Sequence, residues 1–176
     1  MNAIKTVSEL KDEIADREAI RDCVHRYSRA IDRGELDLLR TVYWPEAIDH
    51  HPGFDGNVEQ FIGWARPQQQ NIQNCMHILS NIFMRISGSV AAVETYFCSL
   101  VVLSAGPMRE TIVCGRYLDH FERRNDDWRI AERMVVHDWF RQHVDTGDWS
   151  ILFGSIGFER GRLGPQDMSF TWLGLR

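Results

Sequence analysis

No stretch of this chain approaches the roughly 20 consecutive apolar residues that span a bilayer. Its opening, MNAIKTVSELKDE, lacks the apolar centre of a secretory signal. The expectation is a cytoplasmic protein with no membrane partner. Clustered Lys and Arg are also missing: 20 basic against 25 acidic residues leave a formal charge of −5, which disfavours nucleic acid as a partner. The four cysteines (Cys23, Cys75, Cys98 and Cys114) form no Cys-x-x-Cys and lie far apart. They read as free, small apolar side chains rather than disulfide staples. Neither a Gly-x-Gly-x-x-Gly after a strand nor a P-loop occurs, and the histidines form no His-Glu-x-x-His set, so no nucleotide cofactor and no metal is expected. Repeats, linkers and low-complexity segments are absent as well.

What remains is ordinary for a globular chain: 176 residues, 44% hydrophobic and 26% charged. That suits one domain over 1–176, with a core at about 10–140 and a tail from Arg141. Thr6 and Glu9 have capping-box spacing. Beyond them Leu10, Ile14, Ile20, Val24, Tyr27 and Ile31 predict a helix with one apolar stripe, stopped at Gly34. A shorter helix fits Glu35–Tyr43 before Pro45, a loop fits His50–Gly56, and another helix fits Val58–Arg66, broken by Pro67. The period then changes to two. Strands are expected at Met76–Ile86, Ala91–Leu103, Glu110–Arg123 and Trp128–His137, joined by short SGS, SAGP and NDD turns into an antiparallel meander. Helices first and strands after is an α+β order. Both strand parities are apolar, so both sheet faces should be covered, one by helices and the other by a second copy of the chain, with the C-terminal tail as the alternative cover.

The order and spacing of YSRAIDRGELDLLRTVY (Tyr27–Tyr43), NCMHILSN (Asn74–Asn81) and GRYLDHFERRNDDWRIAERMVVHDW (Gly115–Trp139) resemble the SnoaL-like branch of the nuclear transport factor 2-like superfamily. That branch includes scytalone dehydratase, bile-acid 7α-dehydratase and γ-hexachlorocyclohexane dehydrochlorinase. The resemblance implies a cone-shaped, curved mixed or antiparallel sheet wrapped on N-terminal helices around a pocket. It also implies a cofactor-free lyase acting on a hydrophobic, cyclic small molecule, in a dimer or trimer. A steroid- or polyketide-type isomerase or cyclase is the alternative, as is a non-catalytic scaffold like the β subunit of a ring-hydroxylating dioxygenase.

Four residues carry the proposed chemistry. Asp32, at the end of the first helix, reads on its own as a solvated turn carboxylate, set against an unfavourable dipole. His77, among apolar neighbours, reads on its own as a satisfied core histidine. The resemblance makes His77 the general base and Asp32 the group that orients it. Tyr27 lies five residues before Asp32, about 140° around the helix, and would flank the pocket without touching it. Arg133 is the preferred cation for developing negative charge, with Arg116 and Arg129 as competitors. Candidate substrate contacts are Tyr43, Trp44, His51, Phe61, Trp64, Asn81 and Tyr96. Asn81 is included because it shares strand parity with His77.

Overall fold

The computed structural model describes residues 6–148 and 159–175. The capping box forms as expected: the Thr6 side chain accepts from the Glu9 N–H at 3.2 Å, and Glu9 accepts from the Thr6 N–H at 2.7 Å. It opens α1 (Val7–Asp32). The apolar stripe is buried only in the second half of this helix. Leu10 and Ile14 are exposed, whereas Ile20, Cys23, Val24, Tyr27 and Ala30 lie inside the core. Gly34, with φ +68°, turns the chain at the helix end.

The helix expected over Glu35–Tyr43 is a short 3₁₀ segment, Leu36–Thr41. Tyr43 instead begins a strand that the sequence reading missed, β1 (Tyr43–His51), which turns back into β2 (Phe54–Gly56). Pro45 offers no N–H to the ladder. It is tolerated because it falls in the stretch between Tyr43 and Ile48 where the ladder shifts register. Helix α2 (Val58–Gln69) is capped by Asn57 and runs past Arg66, with Pro67 inside its last turn.

The expected meander follows: β3 (Ile72–Ser87), β4 (Val90–Leu103), β5 (Glu110–Arg124) and β6 (Asp127–His143). Asn125 and Asp126 take φ of 50° and 64° in the β5–β6 turn, the left-handed conformation that such tight turns require. The six strands form one curved, unclosed sheet in the order β2-β1-β6-β5-β4-β3. The β1–β6 pair is parallel and the other pairs are antiparallel. The fold is therefore α+β, as expected, with a mixed sheet.

Extra residues on the long strands decide which side chains reach the core. On β3 the register shifts between Leu79 and Ile82, and on β6 it shifts at Ala131 and at Asp138. Each bulge moves the inward set from one parity to the other. On β6, Trp128 and Ile130 face the core before Ala131; after it, Arg133 and Val135 do.

A last short helix, α3 (Met168–Trp172), follows an Asp167 cap. It docks on the end of α1: the Arg29 guanidinium lies 5.3 Å from the Phe170 ring centre, and the Gly164 N–H donates to the Arg33 carbonyl at 2.8 Å. The outer sheet face keeps Ile78, Phe83, Tyr96, Leu118 and Met134 exposed. Among the described residues, no helix is long and apolar enough to cross a membrane.

Candidate active site

Asp32 is the last residue of α1, and β3 passes beside it. Both of its carboxylate oxygens are engaged by one residue: Oδ2 accepts the His77 backbone N–H at 2.8 Å, and Oδ1 meets His77 Nδ1 at 2.6 Å. Burial alone would push the Asp32 carboxyl up. The hydrogen bonds and charge of His77, with the Cys75 thiol, outweigh it and hold the group below its ordinary value. The dipole penalty expected at this helix end is therefore offset by His77. The neighbouring cation, Arg33, donates to the Asp32 backbone carbonyl instead. With Nδ1 bonded to Asp32, Nε2 is the nitrogen of His77 left for chemistry.

His77 is part of the wall of a cavity of about 220 Å³. Helix α1 contributes Tyr27 and Ile31, β1 contributes His51, and α2 contributes Phe61, Trp64 and Ala65. The sheet adds Phe97, Ser99, Val113, Tyr117, Val135 and His137. Most of this lining is apolar or aromatic, the usual character of a small-molecule site. His51, Phe61 and Trp64 pack together with ring centres 5.4–5.9 Å apart. Phe97 stacks on Tyr117 at 4.4 Å and stands 6.3 Å from His77 and 6.2 Å from His137.

Of the expected residues, the structure brings His77, Asp32, Tyr27, His51, Phe61 and Trp64 together. Others lie elsewhere. Asn81 follows the β3 bulge and is exposed, because the extra residue cancels the parity it shared with His77. Tyr96 faces outward, one residue out of phase with Phe97. Trp44 donates to the Glu122 carbonyl and packs between the guanidinium groups of Arg124 and Arg129, 4.6 and 4.8 Å from its ring. Tyr43 is buried and donates to Asp49 at 2.5 Å, away from the cavity wall.

Arg133 is also displaced from its expected role. It is fully buried beneath the cavity floor, and its Nε and Nη2 both donate to Asp119 at 2.7 Å. Its guanidinium lies 4.1 Å from the Tyr27 ring centre and 4.2 Å from that of Tyr117. A cation already neutralised by a carboxylate and covered by two rings supports the floor and does not line the cavity. Arg116 pairs with Asp138 and Glu94 on the other face, and Arg129 pairs with Asp127.

His137 is the residue the sequence reading missed. Burial, then the nearby charge of His51, hold its proton affinity below the ordinary histidine value. Its signal was its parity with Arg133 and Val135. His50 and His51 diverge as adjacent strand residues must: His50 meets Asp55 at 3.0 Å, while His51 joins the cavity wall.

Asp32, Cys75 and His77 also present one donor atom each within 4.8 Å of one another. The 2.6 Å between Nδ1 and Oδ1 suits one shared proton. Two ligands bound at about 2.0–2.2 Å to one tetrahedral zinc would stand roughly 3.3 Å or more apart. Burial also pushes the Cys75 thiol up, away from the thiolate that binds metal. The cluster is arranged as a hydrogen-bonded relay.

Residues 12–134 match the family model of the SnoaL-like domain. Uncharacterized proteins of Mycobacterium bovis and Mycobacterium tuberculosis are 33% identical over 126 residues, covering 69% of this chain and 85% of theirs. Among solved structures, a hexachlorocyclohexane dehydrochlorinase from Novosphingobium barchaimii superposes with a TM-score of 0.69 at 17% identity, over 85% of this chain and 97% of that one. A scytalone dehydratase-like protein of Novosphingobium aromaticivorans gives 0.70 at 14%, over 89% and 97%. An NTF2-like protein of Salmonella enterica gives 0.62 at 18%, over 81% and 100%. At these identities the likeness is one of fold.

Proposed function

Since the chain belongs to the SnoaL-like domain family, whose fold hosts both enzymes and scaffolds, we propose that it is a cofactor-independent lyase in which His77 removes a proton from a hydrophobic, cyclic substrate. The observation that carries this reading is the double engagement of Asp32 by His77, at 2.6 and 2.8 Å, beside an apolar cavity. Asp32 fixes the ring with Nδ1 toward itself and steadies the imidazolium that forms when Nε2 accepts a proton. The apolar wall shields that charge from water, and an oxygen on the substrate can meet Tyr27 or Ser99. Loss of an adjacent leaving group completes an elimination. Returning the proton to another carbon would give the isomerase outcome from the same first step. The similar dehydrochlorinase and the scytalone dehydratase-like protein support elimination as the preferred course.

A scaffold has no need of a buried carboxylate spent on one cavity histidine. The test is turnover of a panel of hydroxylated, ketonic and halogenated ring compounds by the wild type, His77→Ala and Asp32→Asn. The expected losses are about 10²–10⁴-fold in kcat. Undiminished turnover in both variants would refute the assignment of the base.

A further inference from the structure

A second histidine–carboxylate pair borders the same cavity. Asp49 and His51 sit two residues apart on β1 and so share a face. Asp49 is 1% exposed, and the Tyr43 hydroxyl donates to its Oδ2. Among the described residues its Oδ1 has no hydrogen-bond partner, and neither has Nδ1 of His51; the two atoms stand 3.4 Å apart. A small closing movement on ligand binding would join them, as is usual for catalytic hydrogen bonds that are long in the empty protein.

Charge balance gives this pair a direction. Asp49 lies opposite Arg133, and Arg133 lies opposite Asp119, so three buried charged residues form a row across β1, β6 and β5. The row holds two carboxylates and one cation, and Arg133 is bonded to Asp119 through two nitrogens. A buried carboxylate without a counter-charge is costly. Nδ1 of His51, 3.4 Å from Asp49 Oδ1, is placed to balance that charge. Around His51, α2 contributes the rings of Phe61 and Trp64, β1 contributes Asp49, and β6 contributes His137. His137 is disfavoured as the cation by its burial and by His51 itself.

We propose that His51, seated on Asp49, is a second reactive centre of the cavity: a proton donor that receives the hydroxyl or carbonyl oxygen of a one- or two-ring substrate. This rests on the base assignment above and adds the leaving group to it. His77 Nε2 takes the proton from carbon, and that C–H electron pair becomes the new C=C bond. The neighbouring C–O bond breaks toward oxygen, which takes the proton from His51 Nε2 and leaves as water. Halide departs without such a proton, so the arrangement favours an oxygenated ring over a halogenated one. Size agrees: about 150 Å³ holds benzene, and this cavity of about 220 Å³ takes a substituted ring or a fused pair.

The test uses two probes of one shape, 1-tetralone and the oxygen-free tetralin, with calorimetric Kd values for the wild type, His51→Phe, His51→Leu and His77→Ala. A ketone oxygen accepts but does not donate, and His77 with Nδ1–H toward Asp32 presents an acceptor, so a ketone preference that disappears in the His51 variants reports on His51 rather than on Tyr27 or Ser99. The wild type should bind tetralone at least about tenfold more tightly than tetralin. Both His51 variants should bring that ratio near one, and His77→Ala should leave the ratio intact. An unchanged ratio in the His51 variants, a ratio lost in His77→Ala, or a wild type that fails to prefer the ketone would overturn the proposal. Loss of turnover in His77→Ala is read separately, so the base can stand if the donor falls.

Discussion

At Asp32 one carboxylate answers to three donors, and its titration has a consequence for stability. Because the group ionises more readily in the folded chain than in the unfolded one, its contribution is complete above the ordinary carboxylate range near pH 4. It is lost as pH falls through the lower folded value. Urea denaturation of the wild type and Asp32→Asn should therefore show a stability difference at pH 7 that shrinks by pH 3; a difference constant over that range contradicts the assignment. His137 acts in the same sense, in a higher pH window. Its folded form resists a proton, so the unfolded chain binds more protons just below pH 6.5 and stability falls there. On moving from pH 7.5 to 5.5, the wild type should lose more in Tm than His137→Phe does. Beneath the cavity, Arg133→Met leaves Asp119 buried and unpaired, and should cost about 3–5 kcal/mol in chemical denaturation. The pairing of Asp32 with His77 came from the family resemblance; each was awkward at its position, yet by itself one read as a solvated turn carboxylate and the other as a satisfied core histidine. Arg133 was awkward in the same way. Its remedy, Asp119, lies on a neighbouring strand and is set by register, which single-residue reasoning does not reach.

Among the elements, α1, α2 and the four-strand meander followed from periodicity and turn residues, whereas β1 and α3 did not. Its Pro45 and the His50–Gly56 turn signals masked a strand whose partner, β6, lies more than 75 residues away in sequence. The bulges were equally invisible. One extra residue leaves composition unchanged, yet on β3 it turns Asn81 out of the site, and on β6 it turns Arg133 into the core and His137 to the cavity wall. Gly115 shows how closely these irregularities are packed. It lies beside the β6 bulge at Asp138, and a Cβ there would come within 2.0 Å of the Val136 carbonyl oxygen and 3.1 Å of both the His137 Cα and the Phe97 ring. Backbone cannot yield as a flexible side chain can. Gly115→Ala should destabilise the protein by about 1–3 kcal/mol and lower probe binding by displacing Phe97 and His137. Calorimetric unfolding together with tetralone titration checks both; a variant with wild-type Tm would show that the strand relaxes freely.

For the molecule as a whole, the sheet separates two surfaces of different use. Its concave side holds α1, the core and the cavity. Its outer side leaves Ile78, Phe83, Tyr96, Leu118 and Met134 exposed, and the described part of the tail docks on α1 instead. Exposed apolar side chains gathered on one sheet face are the expectation for self-association. Sedimentation should give a multiple of the 20.5 kDa chain mass, and Phe83→Asp with Met134→Asp should reduce it to one chain while the fold persists. The central claim concerns the inner surface and needs no knowledge of the natural substrate. Proton removal by His77 can be followed as incorporation of deuterium at C2 of 1-tetralone in heavy water by proton NMR, wild type against His77→Gln. The account predicts wild-type catalysis that falls at least about 100-fold in the variant. Equal exchange rates in the two proteins would contradict it.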